Sequence, residues 1–305
     1  MDKGNVKNAK LINLSAEEGG VLYSFAVVSA LLVSMIFSTV MTMLGTTAEA
    51  YESDIIIIIN FVLAPIAILL AIGVLRLRRP IPILSAIDVR SFSFLSLISV
   101  VLIGLGLMFG LAEVNELFVT ALQKAGLKIS APILPKFSAG GVIASILFVC
   151  IIPAVVEEFL FRGLLLSSLK GTGTLFAVVI SGVIFSLFHM SPAQTIYQFI
   201  VGACYALVVL YGKNILYAVG MHLVNNLYIV LNYYFFQIDL SGAGLYIVTA
   251  VGLIFLALGI ALLLVKGDKP KNSGEGEKVN RNKFIFGALI GIIVTVVMWI
   301  TALVV

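Results

Sequence analysis

Nine apolar runs of near membrane-spanning length constrain this chain more than any other feature. They lie at about residues 21–44, 55–75, 92–111, 140–168, 174–190, 194–211, 215–236, 244–265 and 284–305. A helix that crosses a bilayer needs about 20 consecutive apolar residues. Few segments alternate with period two, and the run lengths favour a helical bundle over a barrel. Of the 305 residues, 61% are hydrophobic and 11% are charged. A soluble globular protein carries about 25% charged residues, so no soluble fold could hide this much apolar surface. The expected fold class is all-α, a polytopic transmembrane helical bundle of about nine spans.

The runs group into three parts. Residues 1–137 hold an N-terminal tail and three flanking spans, and 138–236 hold four core spans. Residues 237–305 hold two C-terminal spans joined by a polar linker, 266–283. Ala48-Glu49-Ala50 resembles a signal-peptidase site, but the apolar run before it is too long for a signal peptide and follows a polar stretch, so a retained span is expected. The net charge of +4 reports topology rather than nucleic-acid binding, because the positive residues sit in loops and tails. Lys3, Lys7, Lys10, Arg76, Arg78, Arg79, Arg90, Lys170, Lys213 and the lysines and arginine of the linker fall on one side if there are nine spans. The positive-inside rule makes that side cytoplasmic. The chain is then a multi-pass cell-membrane protein with a cytoplasmic N-terminus and its C-terminus on the opposite side. The mixed stretch 112–137 reads as a partly amphipathic surface segment. Cys150 and Cys204 both lie in apolar runs and read as small core residues, not as a disulfide or a zinc site.

Span four carries charge where charge is expensive. Glu157, Glu158 and Arg162 stand in the run PAVVEEFLFR. Each charge near a helix centre costs roughly 2.5–3.5 kcal/mol. Glu158 and Arg162 are four apart and share a helix face, so they can pair. Glu157 is rotated by about 100° from Glu158, and the same arginine does not hold it as easily. A carboxylate left free in an apolar cavity suits a general base. The plainer reading is that all three charges only bind helices together. Pro153, four residues before Glu157, removes one helical hydrogen bond and can kink the span.

The chain has two histidines, His189 and His222, both in predicted spans. Phe185 precedes His189 by four residues, so its ring can orient the imidazole. Asn226 follows His222 by four and shares its face; a histidine and a carboxamide so placed make a plausible oxyanion-stabilising pair. Asn225 is turned about 100° away and reads as a helix-packing residue. Depth is consistent with a common site. Glu157 lies 13 residues before Lys170, about 20 Å along the axis, and His189 lies 16 residues after Gly173, about 24 Å. His222, nine residues after Lys213, sits shallower at about 13 Å, a gap that helix tilt can absorb.

These three motifs, Glu-Glu-x-x-x-Arg, Phe-x-x-x-His and His-x-x-x-Asn, each in its own span, resemble the signature of the CAAX protease and bacteriocin-processing family. That family is also called the type II CAAX prenyl endopeptidase or abortive-infection family. The resemblance covers roughly residues 140–236. It implies an intramembrane endopeptidase of the glutamate-dependent kind. Carried over, Glu157 and His189 activate water, His222 and Asn226 stabilise the oxyanion, and Glu158, Arg162 and Phe185 support the geometry. It implies no cofactor, and as partners a membrane-associated or prenylated peptide or protein substrate and the lipid bilayer. Two other readings compete. Two histidines and a glutamate could hold zinc, although the His-Glu-x-x-His helix is missing. The motifs could also serve packing alone in a non-proteolytic immunity protein or scaffold. A transporter lacks the pair of broken helices it would need.

Overall fold

The computed structural model describes residues 14–51, 53–78, 89, 92–127, 129, 133–238, 242–268 and 281–304. The expectations for Lys3, Lys7, Lys10, Arg79, Arg90 and most of the linker 266–283 concern residues outside that set. Among the described residues the chain is helical, with no strand. The long helices are α1 (Ala16–Met43), α2 (Asp54–Arg78), α3 (Phe94–Gly110) and α4 (Ala112–Lys124). They continue with α5 (Ala139–Ser168), α6 (Thr174–Phe188), α7 (Thr195–Gly212), α8 (Ile215–Phe236), α9 (Gly242–Lys266) and α10 (Arg281–Val304). Helix α4 follows α3 after one residue, which turns part of the expected surface stretch 112–137 into a continuation of span three.

Eight of the helical stretches among the described residues are long and apolar enough to cross a bilayer. The exception is α6. Its 15 residues span about 22 Å at 1.5 Å per residue, short of a hydrocarbon core of about 30 Å. The sequence reading carried this span on to residue 190. The helix stops earlier because Met190 turns into the left-handed region at φ 49° and Pro192 opens a short 3-10 turn, Pro192–Gln194. His189 is therefore not a mid-helix residue but the one that ends α6.

Inside a membrane, apolar side chains gain little by leaving lipid for one another, so close packing holds helices together. Glycines provide it here. A Cβ on Gly20 of α1 would stand 2.2 Å from the Phe284 carbonyl oxygen of α10, and one on Gly110 of α3 would stand 2.8 Å from the Leu253 amide nitrogen of α9. Neither backbone could be so near with a larger residue. The Ser24 hydroxyl adds a bond to the Gly287 carbonyl across the α1–α10 contact. Helices α6 and α7 meet in the same way at Gly182 and Gly202, and that contact positions the site.

Two apolar clusters fill the interior. The larger joins α1, α2, α3, α5, α6, α7, α8, α9 and α10. The smaller gathers Leu134, Cys150, Val230 and Tyr234 beneath the segment that leads into α5. There the Tyr234 hydroxyl donates to the Pro135 carbonyl and bonds the Ser145 hydroxyl. Both cysteines are buried and free. Helix α5 takes part in both clusters, and the charged residues lie on it.

Candidate active site

Helix α5 is not uniform. Wider π-helical turns at Ile146–Ile151 and Phe159–Leu165 flank the α-helical stretch Ile152–Glu158 that ends in the two carboxylates. Such bulges shift the register of a helix and occur often at functional sites. Pro153 stands between the first bulge and the glutamates. It has no N–H for the carbonyl four residues back, that of Val149. From α8, the Asn226 carboxamide nitrogen donates to that carbonyl at 2.9 Å.

The two carboxylates have different surroundings. Glu158 is fully buried. Its Oε1 accepts from Arg162 Nη1 at 2.9 Å and from His222 Nδ1 at 2.9 Å. Arg162 Nη2 donates to the Gly202 carbonyl of α7 at 3.0 Å. The guanidinium lies 4.3 Å from the Phe185 ring centroid and 5.3 Å from that of Tyr205, within range of a cation–π attraction. The close approach of α6 and α7 at Gly182 and Gly202 brings this carbonyl and these rings to the arginine. Glu158 thus ties α5 to α8, and its arginine partner ties α5 to α7. His222, expected at a shallower level, reaches the glutamate pair.

Glu157 has no such partners. Its Oε2 is buried without a hydrogen bond and lies 4.0 Å from His189 Nε2. That separation is too long for a direct hydrogen bond, but one water placed about 2.8 Å from each atom spans it. The opposite ring nitrogen, His189 Nδ1, lies 2.8 Å from the Phe185 carbonyl oxygen. A carbonyl only accepts, so Nδ1 carries the proton, and in the neutral ring Nε2 offers a lone pair toward Glu157. The Phe185 ring packs edge-on against His189 with centroids 4.9 Å apart. Phe185 therefore orients His189 through both its ring and its carbonyl; helical spacing pointed only to the ring.

Asn225 and Asn226 form a chain. Asn225 Nδ2 donates to Asn226 Oδ1 at 3.2 Å, and the Tyr197 hydroxyl of α7 donates to Asn225 Oδ1. Sequence reasoning passed over Tyr197, because a tyrosine in an apolar span carries no motif and only the tertiary fold shows what its hydroxyl meets. It also missed two anchors of the segment after His189. Asn115 of α4 accepts from the Tyr197 backbone N–H at 3.2 Å and donates to the Ala193 carbonyl at 2.8 Å. It caps the start of α7 from another helix, where Gln194 provides no side-chain cap. Trp299 of α10 donates to the Thr195 hydroxyl at 2.7 Å.

The structure thus brings Glu157, His189 and Phe185 together on one side of the pair. It joins Glu158, Arg162 and His222 on the other, with Asn226 linked to the same helix four residues ahead of Pro153. Among the described residues, no three His, Cys, Asp or Glu side chains are disposed to hold a metal ion.

Residues 139–228 match the family model of the Rce1-like type II CAAX prenyl endopeptidases. No curated protein and no solved structure matches the chain. The matched segment begins at the first residue of α5 and ends within α8, after Asn226, so it includes every residue of the cluster. The four helices that build the carboxylate cluster are thus similar to the Rce1-like type II CAAX prenyl endopeptidases over that stretch.

Proposed function

We propose that this protein is an intramembrane endopeptidase that hydrolyses a peptide bond in a membrane-associated peptide, a prenylated C-terminal tail being the substrate the family name points to. The carrying observation is the contrast between the two carboxylates: Glu158 accepts from Arg162 and His222 at Oε1, with only its Oε2 unbonded, whereas Glu157 has neither partner and its buried Oε2 lies unbonded beside His189.

A water between Glu157 and His189 donates one hydrogen bond to each. Its oxygen attacks the scissile carbonyl carbon while Glu157 takes the proton. The carbonyl π electrons pass to oxygen, giving a tetrahedral oxyanion. As that intermediate collapses, the C–N bond breaks and Glu157 returns the proton to the leaving amine. No acyl-enzyme forms. Asn226 and His222 face the oxyanion in this scheme. His222 Nδ1 donates to Glu158, so Nε2 can donate only if the ring carries both protons; Glu158 at 2.9 Å is then its counter-charge. No resident metal enters the scheme, and metal analysis of the purified protein tests that directly. The distribution of Lys and Arg supports a cytoplasmic N-terminus.

The test uses the full-length protein in detergent with an internally quenched peptide that ends in a prenylated cysteine and three further residues. Glu157→Gln and His189→Ala are expected to abolish cleavage while melting as the wild type does. Full activity in either variant refutes the mechanism.

A further inference from the structure

The Asn226 carboxamide has one acceptor oxygen and two N–H donors. Its oxygen accepts from Asn225 Nδ2 and one N–H goes to the Val149 carbonyl. Among the described residues no bond is recorded for the second N–H. Two bonds at opposite ends of a planar group fix its rotation, since turning the amide would break both.

The polarity of the chain follows from its inner end. A backbone carbonyl only accepts, so Asn226 turns its nitrogen to Val149 and its oxygen to Asn225. Asn225 then turns its nitrogen to Asn226 and its oxygen to Tyr197, whose hydroxyl must donate. Each member sets the orientation of the next. Pro153 has no N–H with which to compete for the Val149 carbonyl. Without Tyr197, the Asn225 amide keeps only its bond to the Asn226 oxygen, and held at one end it can swing away and leave that oxygen unbonded.

We propose that Tyr197, acting through Asn225, and the Val149 carbonyl, for which Pro153 has no N–H to compete, are positioning groups that hold the Asn226 carboxamide with one N–H uncommitted for the substrate's carbonyl oxygen. The proposal rests on the reading of Asn226 as an oxyanion donor. A donor fixed before the reaction stabilises developing charge without reorganising at the moment of attack. The arrangement therefore acts on the transition state and leaves ground-state binding alone.

Steady-state kinetics of the full-length protein with the quenched prenylated peptide test this, with Glu157→Gln as control. Loss of an oxyanion donor costs about 100–1,000-fold in kcat. Tyr197→Phe loosens that donor without deleting it and is expected to lower kcat about 5–20-fold, with KM within about twofold. In an Asn226→Ala background Tyr197→Phe is expected to cost nothing more. Pro153→Ala restores an N–H that competes for Val149. It is expected to lower kcat similarly while melting no lower than wild type, which a merely structural role would not produce. An unchanged kcat in Tyr197→Phe overturns the proposal, as does an equal fractional loss in both backgrounds; a fully active Pro153→Ala overturns the part played by Val149. If Glu157→Gln is dead while the Tyr197 effect is additive, only the positioning role falls. If Glu157→Gln still cleaves, the hydrolytic reading falls and this proposal with it.

Discussion

The buried ion pair of Glu158 and Arg162 predicts a large and strongly non-additive loss of stability. Replacing Arg162 by Met leaves the Glu158 carboxylate buried, with His222 as its remaining partner. Breaking a buried pair from one side costs about 3–5 kcal/mol. Part of that cost here is the bond that the guanidinium gives to the Gly202 carbonyl at 3.0 Å. Glu158→Met alone leaves the guanidinium buried against Phe185 and Tyr205 without a counter-charge, with a loss of similar size. Two independent losses would sum to about 6–10 kcal/mol. The double variant removes both charges and fills the space with apolar groups, a change that is often near neutral. It still strands His222 Nδ1, at about 1–3 kcal/mol, while the Gly202 carbonyl sits inside α7 and keeps its helical donor. The expected cost is therefore about 1–3 kcal/mol, with a coupling of several kcal/mol between the two sites. Denaturation in mixed detergent micelles, read as a double-mutant cycle, measures it. A double variant as unstable as the sum of the single ones would show that the two charges do not stabilise each other and would sink the argument.

Two further predictions concern the frame. Gly20→Ala is expected to destabilise the α1–α10 contact by about 1–3 kcal/mol, because the new methyl meets the Phe284 carbonyl and the Ala288 amide, not a side chain that can move; denaturation indistinguishable from wild type would show that the helices separate freely. Single cysteines placed at Lys170 and Lys213, with both native cysteines replaced, are expected to react with an impermeant maleimide only from the cytoplasmic side, and labelling from the outside would reverse the topology.

The all-helical bundle was legible because its signal is length and apolarity, which need no tertiary information. The pairing of Glu158 with Arg162 was legible for a similar reason: a spacing of four on a helix is local geometry. The end of α6 was harder to place. Phe188, His189 and Met190 continue the hydrophobic run, and the chain turns because Met190 adopts a left-handed backbone, which side-chain hydropathy does not register. The partners of Asn226 were not legible at all. Its spacing from His222 says that the two share a face, but the carbonyl it meets lies 77 residues away on another helix. Pro153 was visible as a helix breaker, yet what the Val149 carbonyl meets becomes clear only when α8 is packed against α5.

The segment with family resemblance is held from outside at a specific place. His189 ends a helix too short to cross the bilayer, so the residues after it need fixing from elsewhere. Asn115 supplies two bonds to Ala193 and Tyr197 from α4, and Trp299 supplies one to Thr195 from α10. Both helices lie outside the matched residues 139–228. Within that segment, Ser186 adds a bond to the Thr195 carbonyl. A helix end without partners leaves backbone groups unsatisfied, and in lipid no water is at hand to satisfy them. The flanking helices therefore do more than anchor the domain in the membrane. They complete the turn that begins at His189, and Tyr197, the residue that orients Asn225, is itself held at its backbone by Asn115. A change in how α4 meets α7 would thus reach both the histidine beside Glu157 and the amide chain that ends at Val149, without touching either glutamate.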